Sequence, residues 1–210
     1  MAHSRVGTGR QRLTAGLVFS AMVLAALSQG SAGAQVAEVT GAAFGYAAEV
    51  SIGGGAPDEF GPEPDVILPA SGGTESATAP SARVAIGPAT FFTSGPLTVT
   101  TEGTTGPTGA VTSTATIDTI NTSGQEVFTA ANASSTCTAN EDGFTGSTTI
   151  TDGTLQTSEG DPDVEGDETV VDVPTNPAPN TVIEGQIETV GDRFRYVFNE
   201  QVENDDGSFT

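Results

Sequence analysis

The sequence predicts an all-β chain, an antiparallel β-sandwich or partly closed barrel, preceded by a signal-peptide helix. Three observations carry this. Apolar residues recur at every second position in several stretches, the repeat of a half-buried strand and not of a helix. Thr and branched or aromatic residues fill those stretches, which suits a pleated surface. Glycine (27) and proline (12) punctuate the 210 residues closely enough to keep each strand short.

The N-terminal element comes first. Arg5, Arg10 and Arg12 precede an apolar run from Leu13 to Leu27, and Ala32-Gly33-Ala34 supplies a small-x-small cleavage pattern. This is the three-part layout of a secretory signal over residues 1–34, with cleavage before Gln35. The alternative is a membrane anchor, but the run would make only about 22 Å of helix at about 1.5 Å per residue, against a hydrocarbon core of about 30 Å. Residues 35–210 then form a single β domain.

Within that domain, strands are expected near 39–51, 81–92, 96–102, 110–120, 125–136, 143–151, 181–189 and 193–203. Val111, Ser113, Ala115 and Ile117 share one face, with Thr112, Thr114, Thr116 and Asp118 on the other. Phe144, Gly146, Thr148 and Ile150 alternate with Thr145, Ser147 and Thr149, and Phe194, Tyr196 and Phe198 stand opposite Arg193, Arg195 and Val197. That aromatic stripe reads as core in preference to a binding platform. Gly53-Gly54-Gly55, Gly72-Gly73, Thr105-Gly106-Pro107 and Asp206-Gly207 break the runs, and Asn140-Glu141-Asp142-Gly143 has the composition of a hairpin turn. Two stretches rich in Gly, Pro and acids, 53–65 and 156–180, are expected to be loops. A Thr-rich disordered or O-glycosylated stalk is the competing picture, but here Thr alternates with apolar residues instead of running in blocks with Pro.

The charge balance excludes whole classes of function. Six Lys+Arg stand against 27 Asp+Glu, a formal net charge of −21; there is no Lys, and the sole His is His3. Residues 1–34 contain half of the Arg and none of the acids. Such a chain repels nucleic-acid phosphates and anionic membranes. Without a His beyond residue 34, Ser–His–Asp and Cys–His catalysis lack their base and a His/Cys zinc site lacks its ligands; without Lys there is no Schiff base. A carboxylate pair acting as in glycoside hydrolysis survives the arithmetic. Yet there is no Trp, and only Tyr46 and Tyr196, to make the aromatic platforms common at sugar sites. The expectation is a non-enzymatic protein, with an acid-pair glycoside hydrolase as a distant alternative.

One local pattern points to a metal. From Asp161 to Asp172 the spacing follows that of a twelve-residue calcium loop, with oxygen-bearing residues at Asp161, Asp163, Glu165, Asp167, Thr169 and Asp172 and a glycine at Gly166. Calcium suits this pattern because a hard cation takes six to eight oxygens, which alternate residues of a curled loop direct inward. Glu165 and Glu168 depart from the usual pattern, and Asp172 reaches less far than a bidentate Glu. The competing reading is a solvated acidic loop, held open by Pro, Gly and like charges. Asn121-Thr122-Ser123 and Asn132-Ala133-Ser134 match the N-glycosylation sequon, which a Thr/Ser-rich chain produces by coincidence. Cys137 has no partner in the chain, leaving it free, paired with another chain, or paired with a residue this sequence lacks.

Several segments, in order, resemble the choice-of-anchor P family of secreted actinobacterial proteins. They are Ala43–Val50, Gly61–Pro69 followed by Gly72-Gly73, Thr93–Thr101, Cys137 after Ala-Ser-Ser with Gly143–Thr149, Asn176–Ile183 and Asn199-Glu200-Gln201. The resemblance implies an exported protein, tethered through varied C-terminal anchors, with no enzymatic activity assigned. Family members usually continue past the Asn-Glu-Gln strand, often to a second cysteine, whereas this chain stops at Thr210; a truncated C-terminus would explain the missing anchor and the unpaired Cys137. The acidic stretch around 158–172 looks like an insertion and inherits no family role. The expectation is a secreted or surface-displayed domain, structural or bound to an unknown extracellular partner, with a calcium-stabilised adhesion or glycan-binding module as the alternative.

Overall fold

The computed structural model describes residues 14–17, 23–24, 36–51, 56–124, 126–158, 168–187 and 192–202. All regular structure among them is strand: β1 (Thr14–Leu17), β2 (Val23–Leu24), β3 (Thr40–Ser51), β4 (Asp58–Ile67), β5 (Gly73–Ala79), β6 (Arg83–Ile86), β7 (Ala89–Ser94), β8 (Leu97–Thr104), β9 (Ala110–Thr122), β10 (Glu126–Asn140), β11 (Gly143–Thr151), β12 (Thr154–Ser158), β13 (Glu168–Asp172), β14 (Thr181–Ile187) and β15 (Asp192–Phe198). Pairing is antiparallel throughout, and no sheet closes into a barrel. The expected signal helix falls largely outside the described residues; the two short pieces that are described, β1 and β2, pair with β3.

A nine-stranded sheet dominates. Its centre is the long pair β9–β10, which carries different neighbours at its two ends. At one end the order is β5-β8-β9-β10-β11; at the other, β7 with β6 flanks β9 and β12 with β13 flanks β10. The two central strands change phase together where this exchange occurs. Ile117 and Ile120 are both buried with Asp118 and Thr119 exposed between them, while Ala130 and Ala133 are buried around Ala131 and Asn132. Thr119 takes a positive φ of 50° there, and the Gly95 amide bonds the Asp118 and Thr119 carbonyls at 2.7 and 3.1 Å.

The second layer has two parts. The β3–β4 ribbon lies across the inner face of β8 and β9, in close backbone contact. A Cβ on Gly41 would fall 2.5 Å from Val111 Cγ1 and 2.7 Å from Thr101 Oγ1, so only glycine fits. The β14–β15 hairpin covers the inner face of β9, β10 and β11, where Phe198 and Tyr196 pack on Phe128 with ring centroids 5.5 and 6.2 Å apart. The aromatic stripe is thus core at both described side chains, with Arg195 exposed on the opposite face. The main apolar cluster runs from Tyr46 and Val50 through Phe92, Leu97, Ile117 and Ile120 to Leu155 and Phe198, and a smaller one joins Val39, Leu68, Val111, Cys137 and Ala139.

Most expected strands are present, and the differences cluster in the two stretches assigned as loops. Residues 58–67 form β4, paired with β3 as an edge strand, a place that accepts Pro62 and Pro64 because no neighbour needs their missing N–H groups. In 156–180, β12 and β13 pair from Thr154↔Asp172 to Ser158↔Glu168, and residues 159–167 lie outside the described ones. The strand expected at 81–92 is a hairpin, β6–β7, reversed at Gly87 with φ 57°. β5, Gly73–Ala79, is a further strand beyond those the sequence predicts. The Asn140–Gly143 turn joins β10 to β11 as expected, with Gly143 at φ 117° and the Asn140 side chain accepting the Asp142 amide at 2.9 Å.

Candidate functional site

The residues singled out for chemistry do not assemble into a described centre. Asp161, Asp163, Glu165 and Asp167 lie outside the described residues, and Asp172 stands exposed at the end of β13 opposite Thr154. The backbone from 168 to 172 is extended, so Asp172 is carried about 13 Å from the start of its strand instead of curling back toward it. Among the described residues no group of three His, Cys, Asp or Glu side chains is placed to hold a metal ion.

Cys137 is a free thiol, 4 % exposed, on the inner face of β10 beside Val111 and Ala139. Burial pushes its pKa up to about 11, which suppresses the thiolate and with it nucleophilicity. A cavity of about 60 Å³ lies between β15 and the inner faces of β9 to β11. Apolar side chains of Ile117, Phe128, Ile150 and Phe198 make most of its wall. Its polar groups are tied internally: the Thr148 hydroxyl lies 3.3 Å from Ser135 Oγ and 3.4 Å from Asn199 Oδ1.

Those ties belong to a network that clamps the C-terminal hairpin to β11. Gln201 Nε2 donates to the Gly146 carbonyl at 2.8 Å and to Asn199 Oδ1 at 3.0 Å, and Asn199 Nδ2 donates to the Pro177 carbonyl at 2.9 Å. The Asn180 side chain accepts the Gln201 amide at 2.9 Å. Asn180 and Asn199 adopt φ of 58° and 53°, a region Asn tolerates better than most residues. Asn176–Ile183 and Asn199-Glu200-Gln201 therefore serve the fold.

The outer face of the large sheet is different. Strands β5, β8, β9, β10 and β11 run in continuous register there, so their outward residues form rows across the sheet. One row is Thr78, Thr98, Thr116, Ser134 and Thr149; the next is Ser76, Thr100, Thr114, Thr136 and Ser147. The third is Thr74, Glu102, Thr112, Thr138 and Thr145. Every position is Thr or Ser except Glu102, and every one is exposed or half-buried.

At the centre of the face, hydroxyls bond in pairs from β9 to β10: Thr112 to Thr138 at 3.1 Å, Thr114 to Thr136 at 3.3 Å and Thr116 to Ser134 at 3.1 Å. Each pair holds its two rotamers against free rotation. The lattice ends at Asp118 and Asn132, whose side chains bond each other at 2.7 Å, and at the corner where Thr149 donates to Asn176 Oδ1 at 3.1 Å. Alternation along β9 and β11 placed parts of this face in the sequence, but the rows depend on cross-strand register. The signal that could have revealed them is the repetition of Thr-x-Thr and Ser-x-Thr in strand after strand.

No protein-family model matches the chain significantly, and neither does any curated protein or solved structure. Among the described residues, no helix is long and apolar enough to cross a membrane.

Proposed function

We propose that the chain is an exported, non-enzymatic β domain that binds an extended extracellular partner through the outer hydroxyl face of its large sheet. The supporting observation is the contrast between that face and the rest of the molecule. A chain with 27 acids places a single one among the rows of Thr and Ser. The face gathers its hydroxyls into three adjoining rows at exposed or half-buried positions. The signal-like segment 1–34 and the resemblance to the choice-of-anchor P family support export and display.

The test has two arms. The full chain, expressed in a secreting bacterial host, is expected in the medium or on the envelope with Gln35 as its first residue. Purified, it is expected to adsorb to an extended solid in a manner that Thr114→Tyr with Thr136→Tyr abolishes. Retention of the chain in the cytosol, or adsorption indifferent to those substitutions, would overturn the proposal.

A further inference from the structure

We propose that β3 is a strand acceptor: once residues 1–34 are removed, its edge away from β4 takes an antiparallel apolar strand from another polypeptide. This surface is separate from the outer hydroxyl face, and it rests on the export reading only for the loss of the N-terminal segment. The first ground is topological. Along one side β3 pairs with β4, from Ala42↔Ile67 to Val50↔Asp58. Along the other, its partners among the described residues are β1, from Thr14↔Ser51 to Leu17↔Ala48, and β2, at Val23↔Gly41 and Leu24↔Thr40. Both lie within the signal-like stretch. Cleavage before Gln35 therefore leaves that side of β3 with unpaired main-chain N–H and C=O groups, the template to which an extended chain adds.

The second ground is what β3 lacks. A strand at the edge of a sheet is ordinarily guarded by charge or proline against unwanted pairing. β4, the outer strand of this ribbon, carries Asp58, Glu59, Glu63, Asp65, Pro62 and Pro64 within ten residues. β3 has no proline and one charged residue, Glu49, in twelve, the composition of a strand with neighbours on both sides. The third ground is preorganisation. Ala43 is buried with Val99 and Ala115, and Val50 lies in the main apolar cluster, while Gly41 and Gly45 leave no room for a Cβ against Val111 and Leu97. The edge is thus fixed in extended form, so the ordering cost falls on the incoming strand alone. The chemistry of that strand follows from its surroundings. β2 also lies against β9 and β10, whose inner faces carry Val111, Cys137 and Ala139, so alternate residues of the strand must be apolar or small. Glu49 is exposed and stands opposite Gly16 in the β1 register, where a basic residue would be favoured.

The experiment titrates the secreted chain with a synthetic peptide of residues 13–25, against a peptide of the same composition in scrambled order, and follows binding and melting temperature. The native-order peptide is expected to bind and to raise the melting temperature, and the scrambled one to do neither. Gly16→Lys in the peptide is expected to raise its affinity about two- to fivefold and Gly16→Glu to lower it by a similar factor, the range of a cross-strand charge pair. With Glu49→Lys in the protein, that order should invert. Thr114→Tyr with Thr136→Tyr is expected to leave peptide binding unchanged; a loss would place the peptide on the outer face and reject β3. In the full chain made without export, where the segment is still attached, the Gly16 substitutions should shift the melting temperature in the same order and again invert with Glu49→Lys. That arm needs no cleavage, so a failure of the export reading leaves it intact.

Binding of the native-order peptide no tighter than that of the scrambled one would overturn the inference, as would a charge dependence that does not invert with Glu49→Lys. Inversion in the full chain without binding of the free peptide would confine the edge to the chain's own segment and reject a second polypeptide. A secreted chain that is dimeric, and that the peptide makes monomeric, would assign the edge to a second copy and reject a foreign strand.

Discussion

At the scale of single residues, the interior holds two polar features with consequences for stability. Thr101 and Ser113 are both fully buried, and their hydroxyls lie 2.9 Å apart with Gly41 packed over them. Each satisfies the other, so removing one leaves a buried hydroxyl without its partner. Thr101→Val is expected to cost about 1–3 kcal/mol in denaturant unfolding. Combining it with Ser113→Ala is expected to cost less than the sum of the single changes, because the orphaned group is then gone too; strict additivity would show the bond to be unimportant. The second feature is a pair of acids that burial keeps protonated. The Cys137 thiol is raised to about 11 and the Tyr196 phenol to about 12, the latter by burial first and by the charge of Glu126 second. The folded state therefore holds these protons more tightly than the unfolded state. Stability from this source is complete below pH 9 and falls as the thiol passes from its ordinary 9.0 to about 11 and the phenol from 10.0 to about 12. Unfolding midpoints measured from pH 8 to 11 should decline, and Cys137→Ala should flatten the decline. At pH 8 an aromatic disulfide reagent should modify Cys137 only after denaturant is added; rapid modification of the folded chain would contradict its burial.

At the scale of elements, the closest approach in the fold is that of β3 to β8 and β9. Gly41→Ala places a methyl group within 2.5 Å of Val111 Cγ1 and 2.7 Å of Thr101 Oγ1, so the strand must lift or the core must shift. A loss of about 1–3 kcal/mol is expected, the usual cost of overpacking. Denaturation of Gly41→Ala beside Gly73→Ala separates this crowding from backbone strain, since Gly73, at φ 124°, has open space where its Cβ would stand. Which strands were legible follows from the same physics. β9 and β11 announce themselves because one face is buried and the other wet, the condition that writes a period of two into a sequence. β4 is hidden because it is an edge: Phe60 and Pro64 are half-buried but most of its residues are exposed, so acids and prolines are tolerated and the alternation disappears. β13 is hidden for a related reason, with Val170 and Val171 both exposed on the outermost strand of its end of the sheet. The candidate face was legible only strand by strand. Thr-x-Thr tells which side a residue takes, but the rows exist only once β8 pairs with β9 at Thr98↔Thr116 and β10 pairs with β9 at Ser134↔Thr116.

At the scale of the whole molecule, the acid excess is the dominant long-range force, and its arrangement bears on both cations and the binding face. With 27 acids and six basic residues, self-repulsion opposes compaction, and added salt screens it with a Debye length of about 10 Å at 0.1 M. The melting temperature is therefore expected to rise with sodium chloride. A calcium loop would add to this only if Asp161 to Asp172 closed on one ion, which asks the last position to curl back toward the first. β13 does the opposite: its residues are extended and paired with β12, with Asp172 opposite Thr154. Forming the loop would mean breaking that pairing, so binding energy would be spent on unzipping an edge strand. Calorimetry at matched ionic strength should accordingly show calcium and sodium chlorides raising the melting temperature by the same amount, and Asp172→Asn should leave the calcium response unchanged. A calcium increment beyond that of sodium, lost in Asp172→Asn, would mean that the pairing of β13 gives way to the ion. Because the rows of Thr and Ser carry so little of this charge, neither salt is expected to alter adsorption through that face at concentrations that shift the melting temperature. Charge is concentrated on the rest of the surface, and Glu102 is the single acid within the three rows.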